Sequence, residues 1–150
     1  YYIHCTKDPF CESYSYFFKF DLDTEAMNRG ARYLLGKKDF SSFEKLHGGN
    51  ATSICEVTEA KWEEYTPVVG GSDSAKYLVF TITANRFLRN MVRAIVGSLV
   101  EVGRGRKDPE WIEEQLSEKN RCAAGQSVPG HALFLTEVRY PYIENNKINK

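Results

Sequence analysis

Apolar and polar positions follow two rhythms along this chain, and the change from one to the other marks its elements. Between residues 86 and 102, Leu88, Met91, Val92, Ile95, Val96 and Leu99 gather on one face at about 100° per residue, the helical period. The pattern predicts a helix over about residues 86–102, entered from a strand at residues 77–83 through a turn at Ala84-Asn85. Its opposite face would carry Arg86, Arg89, Asn90, Arg93 and Gly97. A second helical pattern covers residues 24–35. Asp23 can cap it, Met27, Ala31, Leu34 and Leu35 share one side, and Gly36 stops it. A third begins at Asp108-Pro109, because proline suits the first helical turn, and turns Trp111, Ile112 and Leu116 inward.

The remaining stretches read as strands and turns. Residues 1–6 and the aromatic run 14–20 are extended, with a break at Lys7-Asp8-Pro9. Residues 37–43 form a compact turn pinned by Phe40 and Phe43, and Gly48-Gly49-Asn50 is a loop. Residues 53–65 form a strand with Ile54, Val57 and Trp62 as its apolar members. Residues 69–73 link it flexibly to the next strand. Pro129-Gly130 turns the chain into a closing strand at residues 133–140, and residues 143–150 form a frayed polar tail. Strands and helices segregate without βαβ repetition. The expected class is therefore α+β, a mostly antiparallel sheet with helices packed on one face.

At 150 residues the chain has the size of one domain, and 42% hydrophobic residues with 13% aromatics exclude wholesale disorder. Twenty basic residues balance twenty acidic ones, so a nucleic-acid surface must come from segregated charge. Such segregation is visible: residues 56–64 and 110–118 are acidic, residues 86–93 and 104–107 basic. Cys5, Cys11, Cys55 and Cys122 show no CxxC spacing and no nearby histidine pair, which argues for reduced thiols and against zinc. No apolar run reaches the roughly 18 residues that span a bilayer, so no membrane partner is expected and the chain reads as cytoplasmic. Tyr1 opens directly into a strand, with no methionine before it, as a cut through a longer polypeptide would.

Catalytic constellations are few. There is no GxSxG, no phosphate-binding glycine loop and no HExxH, and the three histidines are scattered. His131 follows a Pro-Gly turn and reads as a loop residue. The carboxylates of Glu110, Glu113, Glu114 and Glu118 read as a solvated helix face. On periodicity alone, the arginines of residues 86–93 would also be a solvated face.

Four segments change that picture. In chain order they are MNRGARYLLGKKDFSSFEK, KYLVFTITANRF, FLRNMVRAIVGSLVEVGRG and VPGHALFLTEVRYP. Together they resemble the C-terminal half of the bacterial tRNA pseudouridine synthases of the TruA family, over nearly the whole chain to about residue 142. The resemblance implies an isomerase that works on tRNA without a cofactor. Such an enzyme breaks the bond between ribose and N1 of uracil and remakes it at C5, on the 3′ side of the anticodon stem-loop. It implies a homodimer gripping RNA with both subunits. The family's single catalytic aspartate lies in a GRTDAGVH-type motif of the N-terminal half, and this chain has no such motif.

The resemblance also assigns roles. Arg93, in the MVR motif, matches the arginine that pairs with the catalytic aspartate. Leu133 matches the apolar residue at the target uracil, in a motif usually reading APAxGL and here VPGHAL, with Ala132 in place of the usual glycine. Tyr1 matches the second tyrosine of a YxY segment and is expected, with Leu133, to bind substrate, while the base-stacking tyrosine would precede it. Arg86, Arg89, Lys37, Lys38, Arg104 and Arg106 are the candidates for phosphate contacts. Two rivals remain at this level: a stand-alone RNA-binding α+β module, and a protein-interaction domain whose basic helix docks an acidic partner.

Overall fold

A computed structural model describes residues 1–45, 49–122 and 124–140. The expected tail at residues 143–150 and the boundary at residue 142 lie outside them. Five strands make one sheet: β1 (Tyr2–His4), β2 (Tyr16–Phe17), β3 (Gly36–Asp39), β4 (Ile54–Glu64) and β5 (Tyr77–Ala84). Their spatial order is β2-β1-β5-β4-β3, antiparallel throughout except for the β1–β2 pair. Among the described residues, three helices accompany it: α1 (Thr24–Arg32), α2 (Met91–Gly103) and α3 (Trp111–Glu118). The expected α+β class holds. No helix among the described residues is long and apolar enough to cross a membrane.

The core lies between the helices and one face of the sheet. Ile3, Leu78, Phe80, Val57 and Trp62 supply the sheet side, and Trp62 stacks on its cross-strand partner Phe80 with ring centroids 4.9 Å apart. Such an aromatic pair adds roughly 0.5–1.5 kcal/mol beyond the area it buries. A bulge at Val57/Glu59 changes which positions of β4 turn inward: Cys55 and Val57 before it, Trp62 after it. Ile54, expected among the apolar members, is on the outer side.

Several boundaries differ from the sequence pattern, each for a local reason. In α1 the Asp23 carboxylate does accept the Ala26 N–H at 2.9 Å, as its capping position suggests. The helix stops at Arg32 rather than Leu35. Gly36 has a φ of +96°, which glycine adopts without strain, and it opens β3 instead of merely ending the helix. Lys37, Lys38 and Asp39 were expected to belong to the turn over residues 37–43. They are held at the sheet edge by backbone pairing to β4. Phe40 and Phe43 of the following 3-10 turn are fully buried.

The largest correction concerns the central helix. It starts at Met91, not Arg86, because Asn90 holds a left-handed φ of 70° that no α-helix can run through. Asn85 instead closes the end of the β4–β5 ladder: its backbone N–H donates to the Glu56 carbonyl at 3.0 Å, and its side-chain Oδ1 accepts the Glu56 N–H at 2.9 Å. Arg86 and Arg89 therefore sit on a loop, and a helix face of three arginines does not form. Within α2 only Arg93 and Glu101 escape full burial, since residues 124–128 cover the side that carries Gly97 and Ser98. The expected closing strand also fails to form: residues 133–140 pair with no strand among the described residues.

Beside β1 and β5, Asp8 fastens the β4–β5 link that the sequence marks as flexible. Its carboxylate accepts the Gly71 N–H and the Tyr77 hydroxyl, both at 2.9 Å, and the Phe10 N–H at 3.0 Å. The Gly71 bond leads in holding its acid below the usual carboxyl range.

Candidate functional site

The N-terminal end of α2 opens into a concavity of about 1460 Å³. Its walls are the ends of β4 and β5, the loop from Asn85 to Asn90, Arg121, and the extended segment from Leu133 to Arg139. Size and shape suit a ligand larger than a small molecule. The lining is mixed: Ile82, Leu88, Met91, Val92 and Leu133 are apolar, while Lys45, Arg86, Arg89, Arg93, Arg121 and Arg139 are cationic. Glu56, Glu59 and Glu137 line it as well, Glu137 paired with Arg139 at 2.7 Å, so the cations outnumber the carboxylates without being alone.

Arg93 holds the defined position in this wall. It lies in the first turn of α2, half-buried, and its Nε donates to the carbonyl of Val128 at 2.7 Å. The N–H of Val128 in turn donates to the Arg93 carbonyl at 3.2 Å. Among the described residues, neither terminal guanidinium nitrogen of Arg93 has a hydrogen-bond partner or an ion pair. A planar cation with one edge fixed and its fork open is suited to grip a carboxylate in two parallel hydrogen bonds.

Leu133 stands at the rim, 37% exposed, immediately after the 3-10 turn Gly130–Ala132. Ala132 is fully buried there and is not left-handed; among the described non-glycine residues only Asn90 and Lys119 are. An alanine in place of the expected glycine therefore imposes no backbone strain. Tyr1 is 5% exposed and does not line the concavity. Its hydroxyl donates to the carbonyl of Pro129 at 2.6 Å, bracing from beneath the stretch that Arg93 holds. Burial first, then Tyr16, drive the Tyr1 phenol to resist ionisation, against the opposing charge of Arg93.

The six candidate phosphate contacts separate into two groups. Arg86 and Arg89 line the concavity; Arg86 is anchored on the Thr52 carbonyl at 3.1 Å, and Arg89 is exposed. The other four lie outside it. Lys38 donates to the carbonyl of Tyr33, where its charge closes the end of α1. Lys37 sits beside it on edge strand β3. Arg104 packs over the rings of Phe20 and Phe18, at 4.7 and 5.5 Å, and pairs with Glu101, which Arg106 also approaches. Lys45, Arg121 and Arg139 line the concavity and escape sequence reasoning. They occupy loop and unpaired extended positions, where no periodicity points to a face. His131 contacts the Ser15 carbonyl at 3.2 Å and ties the turn to β2. Among the described residues no group of three His, Cys, Asp or Glu converges as a metal site would require.

Comparison with known proteins adds a family. A family model described as tRNA pseudouridine synthase matches residues 31–141. A tRNA pseudouridine synthase A of Bacteroides thetaiotaomicron is 48% identical over 141 residues, covering 94% of this chain and 50% of that protein. Proteins of the same description from Parabacteroides distasonis and Bacteroides fragilis are 47% and 46% identical; each alignment again covers 94% of this chain, with 52% and 53% of the respective relative. The chain spans about half the length of the curated relatives it matches.

Proposed function

The chain belongs to the tRNA pseudouridine synthase family, and from that premise we propose that residues 1–142 form the C-terminal domain of an enzyme that isomerises uridine to pseudouridine in tRNA. The concavity receives the target nucleotide, flipped out of the anticodon stem-loop as a base must be to expose its glycosidic bond. An aspartate from the other half of the enzyme attacks the nucleotide or assists cleavage of the bond from ribose to N1. Uracil then turns, C5 bonds to the ribose carbon with release of the aspartate from any bond it had formed, the C5 hydrogen leaves to solvent and N1 takes up a proton. Nothing is gained or lost overall, and the reaction uses no cofactor.

This chain's part in the reaction is to hold. Arg93 pairs with the attacking carboxylate and keeps it ionised, since a fixed cation favours the charged form. Leu133 packs against the uracil ring. Arg86 and Arg89 contact phosphates and Lys45 extends that rim, whereas Arg121 is taken up by Gly125 and Ser127 and Arg139 by Glu137. The enzyme acts in the cytoplasm as a homodimer that grips tRNA with both subunits. One observation carries this reading: Arg93 faces the concavity with its Nε tied to Val128 and its fork unpaired among the described residues. The test is tritium release from tRNA labelled at C5 of uridine. The full-length protein should release tritium and the 150-residue chain alone should not. Release by the isolated chain would place the nucleophile within it and overturn the assignment.

A further inference from the structure

Residues 125–130 have no regular secondary structure before the 3-10 turn, yet they determine which way Arg93 points. Arginine has many rotamers, and one bond to Val128 orients it only as well as Val128 itself is held. Besides Tyr1, whose hydroxyl holds the Pro129 carbonyl, three side chains do that holding, and Ser127 is where two of them meet. The Asn90 amide donates to the Ser127 Oγ at 2.7 Å, and an Arg121 terminal nitrogen donates to the same oxygen at 2.8 Å. The other terminal nitrogen of Arg121 reaches the Gly125 carbonyl at 3.2 Å. From the α2 side, the Ser98 hydroxyl accepts the Gly125 N–H at 2.9 Å.

Asn90 shows that this bond is made in preference to another. It precedes α2, where an asparagine side chain ordinarily accepts a backbone N–H of the first turn. Here it makes no capping bond and reaches across to Ser127 instead. Its left-handed φ of 70° aims it there, and asparagine and glycine are the residues that tolerate that conformation most readily. With Nε of Arg93 engaged by Val128, the fork left for a carboxylate is the end-on pair of terminal nitrogens.

We propose that Ser127 is a positioning residue: its hydroxyl, gripped by Asn90 and Arg121, locks residues 125–130 onto the start of α2, so that Val128 presents the end-on fork of Arg93 to the concavity. The proposal rests on the reading of Arg93 as partner of the catalytic carboxylate.

The experiment compares Ser127→Ala, Ser127→Thr, Asn90→Gly and Arg93→Ala in the full-length protein. It measures kcat and KM for tRNA, the thermal melt, and the Arg93 Nε–H resonance in ¹⁵N-labelled protein. Asn90→Gly keeps the left-handed backbone and removes only the amide. Ser127→Ala and Asn90→Gly should lower kcat by about 10- to 100-fold, the effect of an ångström-scale displacement, with KM nearly unchanged. The Nε–H should exchange faster with solvent, and Ser127→Thr, which keeps the hydroxyl, should recover most of kcat. If Arg93→Ala is inactive while Ser127→Ala and Asn90→Gly keep parental kcat and a protected Nε–H, the positioning role is overturned and the role of Arg93 stands. If Ser127→Ala loses kcat only in proportion to a lowered melt and threonine does not restore it, Ser127 is structural and the proposal fails. If Arg93→Ala retains full turnover, the reading of Arg93 fails first and the proposal with it.

Discussion

Gly97 of α2 lies so close to the backbone of Gln126 that a Cβ there would sit 1.8 Å from its carbonyl oxygen and 2.9 Å from the carbon. The obstacle is backbone, not a flexible side chain, so either the helix or residues 125–128 must move. Gly97→Ala should therefore destabilise the fold by about 3 kcal/mol, the upper part of the overpacking range, measured by urea denaturation. The displaced stretch also carries Val128, so activity should fall further than the lost stability explains. A variant as stable as the parent would show that the segment yields freely.

Arg93→Ala should remove most turnover in the full-length protein while leaving tRNA affinity within a few-fold. Under the proposed pairing, removing the guanidinium leaves the catalytic carboxylate without its partner, which raises its pKa and frees its rotamer. Affinity is shared among many phosphate contacts and should barely change. Arg93→Lys should recover only part, because an ammonium keeps the charge without the fork. Near-parental turnover by Arg93→Ala would withdraw its assigned role.

Asp8 should make stability fall at low pH. Its folded pKa lies below the ordinary value of 3.8, chiefly through the Gly71 N–H, with Tyr77, Phe10 and Cys11 adding to it. The folded state then holds its proton less tightly than the unfolded state. The stabilisation is fully present above the ordinary value and is lost as pH falls through the lower folded one. Denaturation midpoints followed downward from pH 5 should show this loss in the parent, and Asp8→Asn should have a lower midpoint at pH 7 with a shallower acid dependence. Parallel curves would mean that the carboxylate is not held as described.

Affinity of the chain for tRNA should be modest and should fall steeply with salt, since each phosphate neutralised contributes a slope of about −0.7 to −0.9 in log K against log salt. Arg86→Ala and Arg89→Ala should each flatten that slope. Arg104→Ala should not, because its guanidinium is already engaged by Glu101 and two phenylalanine rings. Filter binding across a salt series measures all three. An equal effect of Arg104→Ala would move the RNA surface to the far end of α2.

Much of the fold was readable where burial follows a simple period. The Asp23 cap, the inward positions Met27, Ala31 and Leu34, the apolar face of α2 and the antiparallel sheet all follow from spacing, but Leu35, expected beside Leu34, lies beyond α1 and is exposed. The misreadings share a cause: backbone pairing and loop packing leave no periodic trace. Gly36–Asp39 contains nothing apolar and joins the sheet through its backbone alone. Leu88 fits the helical stripe but is buried by a loop that Asn90 prevents from coiling. Residues 133–140 alternate as a strand does, yet pair with no strand among the described residues. Arg93 was singled out by its motif; that Val128 and Ser127 position it depends on contacts 35 and 37 residues apart, which spacing cannot encode.

The bulge in β4 makes that strand two rulers joined at Thr58. Each half counts inside and outside by twos, and the joint resets the count by one. Deleting Thr58 would leave both halves as they are, because Val57 and Glu59 already face the neighbouring residues Ala84 and Thr83; pairing Thr58 into the ladder without the bulge would turn one half over against the other. With the downstream half held by Trp62 on Phe80, Cys55 and Val57 would leave the core, and Ile54 and the carboxylate of Glu56 would enter it. β3 pairs only with that upstream half and would lose its register with it, taking Lys38 away from the end of α1. One residue therefore sets the parity by which an entire edge of the sheet knows its inner side.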